Sequence, residues 1–239
     1  MSLSIIIPCH NEEEIIEETV NHLNRSLKNI NFEIILINDF SCDKTCIKFK
    51  NLSKIYKNLV YINNKTRGLG SAINIGINKS NFEYICIYMA DMSDDVNDIK
   101  KYYSLIKSNK IDSVFGSRFT KGSKITDYPI KKLIFNRVFN YIVKILFFSN
   151  YNDFTNAFKI YKKSTLLNIQ PIVSENFNVF LELPLKIIAR NYSYKIVPIK
   201  WKNRKKGNSK FKIKELSSKY FFTLIYCYLE KFLLKKNKN

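Results

Sequence analysis

Five short apolar runs, most of them followed by a stretch with helical periodicity, leave few folds open to this chain. The runs are Leu3–Ile7, Phe32–Ile37, Leu59–Ile62, Tyr84–Met89 and Ile111–Phe115, with helical patterns at about Asp43–Tyr56, Gly70–Lys79 and Val96–Ser108. Asn11, with Glu14 three positions on, predicts a capping box that opens a helix after the first strand. Runs that are apolar throughout belong to strands buried on both faces, and strand–helix alternation builds a parallel sheet with helices on each side. The expectation is an α/β fold. Ligands in such sheets bind beyond the carboxyl ends of the strands. That rule directs attention to His10–Glu12, Asn38–Asp43, Thr66–Ser71 and Ala90–Asp95.

The second half is less regular. Ile130–Phe148 reads as a helix in which Lys132, Asn136, Asn140 and Lys144, joined by Arg137, form a polar stripe opposite an apolar face. Such a helix either lies on a membrane surface or packs its apolar side on the core. Residues 178–190 read as helical, Lys195–Trp201 as extended and Lys202–Lys210 as a basic loop. A last helix from about Ile213 to Leu234 is apolar nearly all round between Tyr220 and Leu229, so it must bury itself against protein, a partner or a bilayer face.

Composition narrows the classes. With 239 residues, 46% of them hydrophobic, the chain can fill the core of one domain rather than stay disordered. Lys+Arg number 40 against 20 Asp+Glu, a net +20 that favours polyanionic partners such as nucleic acid, anionic lipid or phosphorylated substrates. Lys, Asn and Ile are abundant throughout, so compositional bias accounts for about half of this charge. Five cysteines without a CxxC pair, and only two histidines, argue against a disulfide framework or structural zinc and for a reducing, cytoplasmic setting. Leu3–Ile7 is too short for a signal sequence and Tyr220–Leu229 too short to span a bilayer, so a soluble or peripheral protein is expected.

Each strand end carries chemistry that is weak by itself. Asp39 directly follows the second strand, where a carboxylate accepts hydrogen bonds from a base or a ribose hydroxyl, or serves as a turn residue. Arg67-Gly68-Leu69-Gly70-Ser71 opens a helix, where backbone N–H groups suit an anion, yet it is neither a Walker loop nor a full GxGxxG. Asp91 ends the fourth strand, with Ser93, Asp94 and Asp95 beyond it. Asp91 suits a hard divalent cation bridging a diphosphate, and one of the other three suits the cap of the next helix.

The ordered set SIIIPCHNEEE, INDFSCDKT, TRGLGSAINIG, MADMSDD, FGSRFTKG, DFTNAFKIY and KNRKKGNSKF resembles family 2 glycosyltransferases of the GT-A fold, especially the dolichyl- or polyprenyl-phosphate hexose synthases. The likeness runs from residue 3 to about 211, giving an expected catalytic domain at 1–211 and a C-terminal helix at 212–239 that contacts a membrane surface or a partner. It implies a Rossmann-like, mostly parallel sheet and inverting transfer of a hexose from a UDP- or GDP-sugar to a polyprenyl phosphate, peripherally at the inner face of a membrane. Pro8, Asn11, Glu12 and Ala90 would line the nucleotide site, Asp39 would hold the base or ribose, and Gly68 would shape the pocket. Asp91 would contact Mg2+ or Mn2+; Ser117 and Arg118 would sit beside sugar and acceptor, Asp153 and Thr155 near the acceptor, and Glu182 at an acidic position on the following helix. Arg204, Ser209 and Lys210 would belong to a loop closing over phosphates.

The chain departs from the family pattern where Asn38 and Phe40 flank Asp39, and where Met89 replaces the first Asp of Asp-x-Asp. A lone carboxylate needs phosphate oxygens to complete a cation's shell. A hydroxyl acceptor needs a general base, and no Glu-Asp pair stands in the second half, which favours a phosphate acceptor unless Asp153 is that base. Two other classes fit less well. A sugar nucleotidyltransferase needs a glycine-rich basic loop where this chain has Pro8-Cys9-His10-Asn11-Glu12, and a nucleic-acid binder would not set acids at successive strand ends.

Overall fold

Residues apolar on both sides of a strand need cover on both sides, and the sheet is built accordingly. The structure, a computed structural model, describes residues 2–204 and 213–236. Strands β1 (Leu3–Cys9) and β2 (Phe32–Asn38) are buried along their whole length. They are followed by β3 (Leu59–Asn63), β4 (Tyr84–Ile87), β5 (Ser113–Ser117), β6 (Lys124–Thr126), β7 (Lys159–Lys162), β8 (Tyr194–Pro198) and β9 (Lys200–Lys202). The helices are α1 (Ile16–Ser26), α2 (Thr45–Ile55), α3 (Leu69–Lys79), α4 (Val96–Asn109), α5 (Ile130–Phe147), α6 (Lys163–Asn168), α7 (Val179–Ala189) and α8 (Ile213–Lys236).

Seven strands form the main sheet in the order β3-β2-β1-β4-β7-β5-β8, and β6 pairs with β9 beside it. Pairing is parallel except where β7 inserts antiparallel between β4 and β5, a strand the sequence pattern did not announce. The chain winds outward from β1 to β2 and β3, then returns to place β4 on the other side of β1. That reversal opens a crevice at the carboxyl ends of β1 and β4, the place where open α/β sheets bind ligands.

Alternate side chains of β1 feed two cores. Ile5 and Ile7 meet Ile16, Val20, Phe49 and Ile99 from α1, α2 and α4. Ile6 meets Ala72, Ile73 and Ile77 from α3, in a cluster that also takes residues of α5, α6, α7 and α8. The boundary expected at 211/212 falls outside the described residues, as do Ser209 and Lys210.

Three local expectations are corrected. The capping box at Asn11–Glu14 does not form: α1 starts at Ile16, and its N-cap, Ile15, makes no side-chain cap bond. Asn11 is left-handed (φ 52°), which Asn tolerates better than most residues. Its Oδ1 instead accepts from Cys42 N, while Glu12 N donates to Thr45 Oγ1, so the turns after β1 and β2 satisfy one another.

The second correction concerns α5, where Asn136 and Asn140 of the polar stripe turn toward the protein beside the buried Val143 and Phe147, while Arg137 stays exposed. Asn140 is buried, and Asn136 and Asn140 both donate to Thr155 Oγ1. Ile130, Ile134, Phe135, Val138, Tyr141 and Ile142 stand in solvent instead. Third, among its described side chains α8 buries the stripe of Tyr220, Thr223, Leu224 and Cys227 and leaves Phe221, Phe222, Leu229 and Phe232 exposed. The two helices touch through the edge-to-face pairs Phe139–Tyr220 and Phe147–Tyr228. Among the described residues, no helix is long and apolar enough to cross a membrane.

Candidate active site

Register brings the strand ends level. Cys9 pairs with Asn38, and Asn38 with Asn63, so His10, Asp39 and Asn64 leave the sheet side by side. Asp39 Oδ1 accepts from Gly68 N and from Asn64 Nδ2, both at 2.9 Å. Asn64 also accepts from Ser71 Oγ at 3.0 Å, so one Asp–Asn pair ties the second and third strand ends to the start of α3. Both bonds to Asp39 fall on Oδ1, and its other oxygen carries the remaining acceptor capacity that a ribose or base would use.

The glycine turn is a packing device. Gly68 has φ +140°, a conformation L side chains rarely adopt, and a Cβ on Gly70 would lie 1.7 Å from the carbonyl oxygen of Ser174. Gly68 N is spent on Asp39 and Gly70 N on Glu175 O at 2.9 Å, so these two amides do not form the anion cradle expected of this turn. The opposing segment is held by Glu182, which accepts from Val173 N (2.9 Å) and Ser174 N (2.7 Å) and pairs with Lys186 at 3.0 Å. Glu182 is fully buried. It braces the segment that faces the glycine turn.

At the other side of the crevice, Thr19 Oγ1 donates to Ala90 O at 2.6 Å and fixes the chain leaving β4. Asp91 follows. Its Oδ1 accepts from Ser93 N, and its Oδ2 accepts from Arg204 Nε at 3.2 Å and Nη2 at 2.9 Å. The same Nη2 lies 3.9 Å from Glu12 Oε1. Glu12, from beyond β1, and Asp91, from beyond β4, thus meet at Arg204, while Asp39 and Gly68 meet beyond β2. Asp95 is the residue that caps α4, through Asn97 N. Asp94 is buried with no partner for Oδ1 among the described residues, and burial together with the nearby Asp91 charge pushes its carboxyl well above the usual range.

The guanidinium of Arg204 is a cation standing where Asp91 and Glu12 converge, so two hard oxygen donors already address one cation position. That donor chemistry fits Mg2+ or Mn2+ once phosphate oxygens add further ligands. Among the described residues, no three His, Cys, Asp or Glu side chains gather round a common point, and Met89 is a partly buried apolar side chain packed on the core.

Arg118 and Asp153 form a second unit. Asp153 is fully buried and accepts from Arg118 N (2.8 Å), Nε (2.9 Å) and Nη2 (2.6 Å). The guanidinium lies 5.3–5.7 Å from the ring centroids of Phe119, Tyr128 and Trp201. The Asp153 carboxylate orients Arg118 from a position closed to solvent, which argues against Asp153 as an acceptor-side base.

Lys159, also fully buried, donates to Phe154 O at 3.1 Å; burial lowers its pKa to about 7 against the opposing pull of Asp153. Between about pH 7 and 10.5 the unfolded chain thus holds a proton that the folded chain lacks, so this group's contribution to stability rises with pH and is lost as pH falls through 7. Thermal melts of Lys159→Met should show the variant gaining on the wild type as pH drops from 9 to 6. A constant difference would contradict this.

Sequence reasoning missed Asn64, Thr19 and Lys159, and read Asp94 only as one of three candidate caps. Asn64 had a usable signal, since it follows a strand in the same register as Asp39. Lys159 had none, because nothing in the sequence reveals that its strand runs antiparallel through the core.

A family model described as glycosyl transferase family 2 matches residues 4–169. The chain is 28% identical over 221 residues to a dolichol-phosphate mannosyltransferase of Pyrococcus furiosus, covering 90% of this chain and 61% of that protein. It is 31% identical over 144 residues to a dolichyl-phosphate beta-glucosyltransferase of Trichomonas vaginalis, covering 55% of this chain and 44% of that protein. The chain thus spans about three fifths of the first relative's length and less than half of the second's. Glucosyl-3-phosphoglycerate synthase from Mycobacterium tuberculosis, solved with Mn2+, UDP and phosphoglyceric acid, superposes with a TM-score of 0.72 at 14% identity, over 95% of this chain and 78% of that one. That likeness establishes a shared GT-A fold.

Proposed function

This chain belongs to glycosyl transferase family 2, and from that premise we propose that it transfers a hexose from a UDP- or GDP-sugar to a polyprenyl phosphate at an anionic membrane surface. The observation that carries the reading is the meeting of Asp91 and Arg204 at the switch point between β1 and β4, where a diphosphate finds both a cation-holding carboxylate and a guanidinium fork. Pro8, Asn11, Glu12, Asp39 and Gly68 bound the nucleotide end of that crevice. Arg118, oriented by Asp153, serves the sugar and acceptor end. Lys210 is assigned to the phosphates with Arg204.

In the reaction, an acceptor phosphate oxygen attacks the anomeric carbon, and the bond from that carbon to the β-phosphate oxygen breaks with inversion. The electron pair leaves on the nucleoside diphosphate. A phosphate acceptor is already an anion and needs no general base, which suits a site whose Asp153 is engaged by Arg118. Arg204 moves onto the leaving diphosphate and stabilises its growing charge. A bound Mg2+ or Mn2+, held by Asp91, would supply further charge compensation there.

The exposed apolar residues of α5 and α8, flanked by Lys131, Lys132, Arg137 and Lys231 on a chain of net charge +20, support docking on anionic lipid. The test is nucleoside diphosphate release from a panel of UDP- and GDP-hexoses, with vesicles that contain or lack polyprenyl phosphate. Release should rise with the lipid phosphate, accompanied by glycolipid product, and Phe135→Glu with Ile142→Glu should reduce sedimentation with anionic vesicles. Transfer to glycan hydroxyls but not to polyprenyl phosphate would overturn the acceptor assignment.

A further inference from the structure

We propose that Arg204 occupies the cation position at Asp91 until a nucleoside diphosphate draws it away, so that this chain binds a divalent cation well only together with its donor. The proposal rests on the donor reading above for its second half, and on geometry alone for its first. Two guanidinium N–H groups converge on Asp91 Oδ2, with Glu12 Oε1 3.9 Å from the nearer nitrogen. The side chains are 13% exposed for Asp91, 15% for Arg204 and 9% for Glu12, so water screens this cluster only partly.

A divalent ion seeking the same oxygen meets a guanidinium already there. Like charges a few ångström apart repel strongly where water screens them only partly, and a doubly charged ion doubles the repulsion. The two cations therefore exclude one another at Asp91. Met89, packed toward the core, offers no alternative oxygen at this strand end.

A diphosphate changes both sides of the competition. It gives the guanidinium planar, bidentate oxygen partners, and it gives the metal ligands that Asp91 alone cannot provide. Moving Arg204 onto phosphate vacates Oδ2, and the linkage is reciprocal: if the donor tightens cation binding, the cation tightens donor binding by the same factor. Couplings of this kind typically run from about 5-fold to 150-fold.

The test follows free Mn2+ by electron paramagnetic resonance during titration of the whole chain, with and without UDP or GDP. Wild type should bind Mn2+ weakly alone and at least about tenfold more tightly with the nucleotide that its donor carries. Arg204→Gln should bind Mn2+ alone about tenfold more tightly than wild type and lose most of the nucleotide's enhancement. Combining Asp91→Asn with Arg204→Gln should abolish the gain, which locates it at Asp91. Arg204→Lys, compared in the same way and checked by circular dichroism, should give an intermediate gain. Unchanged or weaker Mn2+ binding by both folded Arg204 variants would overturn the proposal. If neither UDP nor GDP affects the wild type, the donor reading falls and the conditional half falls with it. The nucleotide-free comparison still decides whether Arg204 holds the cation position.

Discussion

Asp153→Ala is expected to lower stability by about 3–5 kcal/mol, the usual cost of stranding one partner of a buried ion pair. Asp153 is fully buried, and three Arg118 N–H groups converge on its two oxygens. Removing the carboxylate leaves a guanidinium enclosed by Phe119, Tyr128 and Trp201 without its ion-pair partner. For a chain of this length the loss corresponds to roughly 6–20 °C in melting temperature. Urea unfolding should show the shift in midpoint with little change in slope.

The double variant Arg118→Met with Asp153→Leu separates the two roles. Replacing a buried pair by apolar residues of similar size is often neutral, so stability should largely return. Activity should not return, because the group proposed to face the acceptor has gone. Had Asp153 been a general base, Asp153→Ala would instead abolish turnover while leaving the unfolding midpoint near wild type.

The sheet was legible because its cause is local. A strand buried on both faces has to read as Ile-Ile-Ile or Ile-Ile-Leu-Ile, and β1 and β2 do. Asp39 and Asp91 were legible for a related reason: each stands just beyond a strand, where polar residues interrupt an apolar run. Arg118 and Arg204 came from resemblance alone, since nothing in their neighbourhoods sets them apart from other basic residues. What the sequence hid was tertiary. Asn11 reads as a cap until Ser41, Cys42 and Thr45 arrive from the next loop to take the same bonds.

The helix α5 shows the limit most clearly. Its four-residue polar spacing was visible, but spacing does not say which side faces the protein. Only Thr155, brought under the helix by the chain after it, reveals that Asn136 and Asn140 point inward beside Val143 and Phe147, while Ile134, Val138 and Tyr141 face outward.

Asp91→Asn should cut turnover by about 10²–10³, the typical loss when one preorganised group stabilising transition-state charge is removed. The stability cost should be small by comparison, because Arg204 keeps Glu12 within 3.9 Å as a remaining counter-charge. Asparagine preserves the shape and the acceptor from Ser93 N, so the change isolates charge. Without that charge Arg204 loses its resting partner and a divalent cation loses its protein ligand, so adding Mg2+ or Mn2+ should not restore the rate. The fall should appear in kcat and in kcat/KM alike, because charge compensation of the leaving diphosphate is made chiefly in the transition state. Asp39→Ala provides the contrast. Base and ribose contacts are the same in ground and transition states, so its effect should fall on the donor's KM. Near-normal turnover of Asp91→Asn in excess Mg2+ or Mn2+ would remove Asp91 from the chemistry and leave its bond with Arg204 a structural contact.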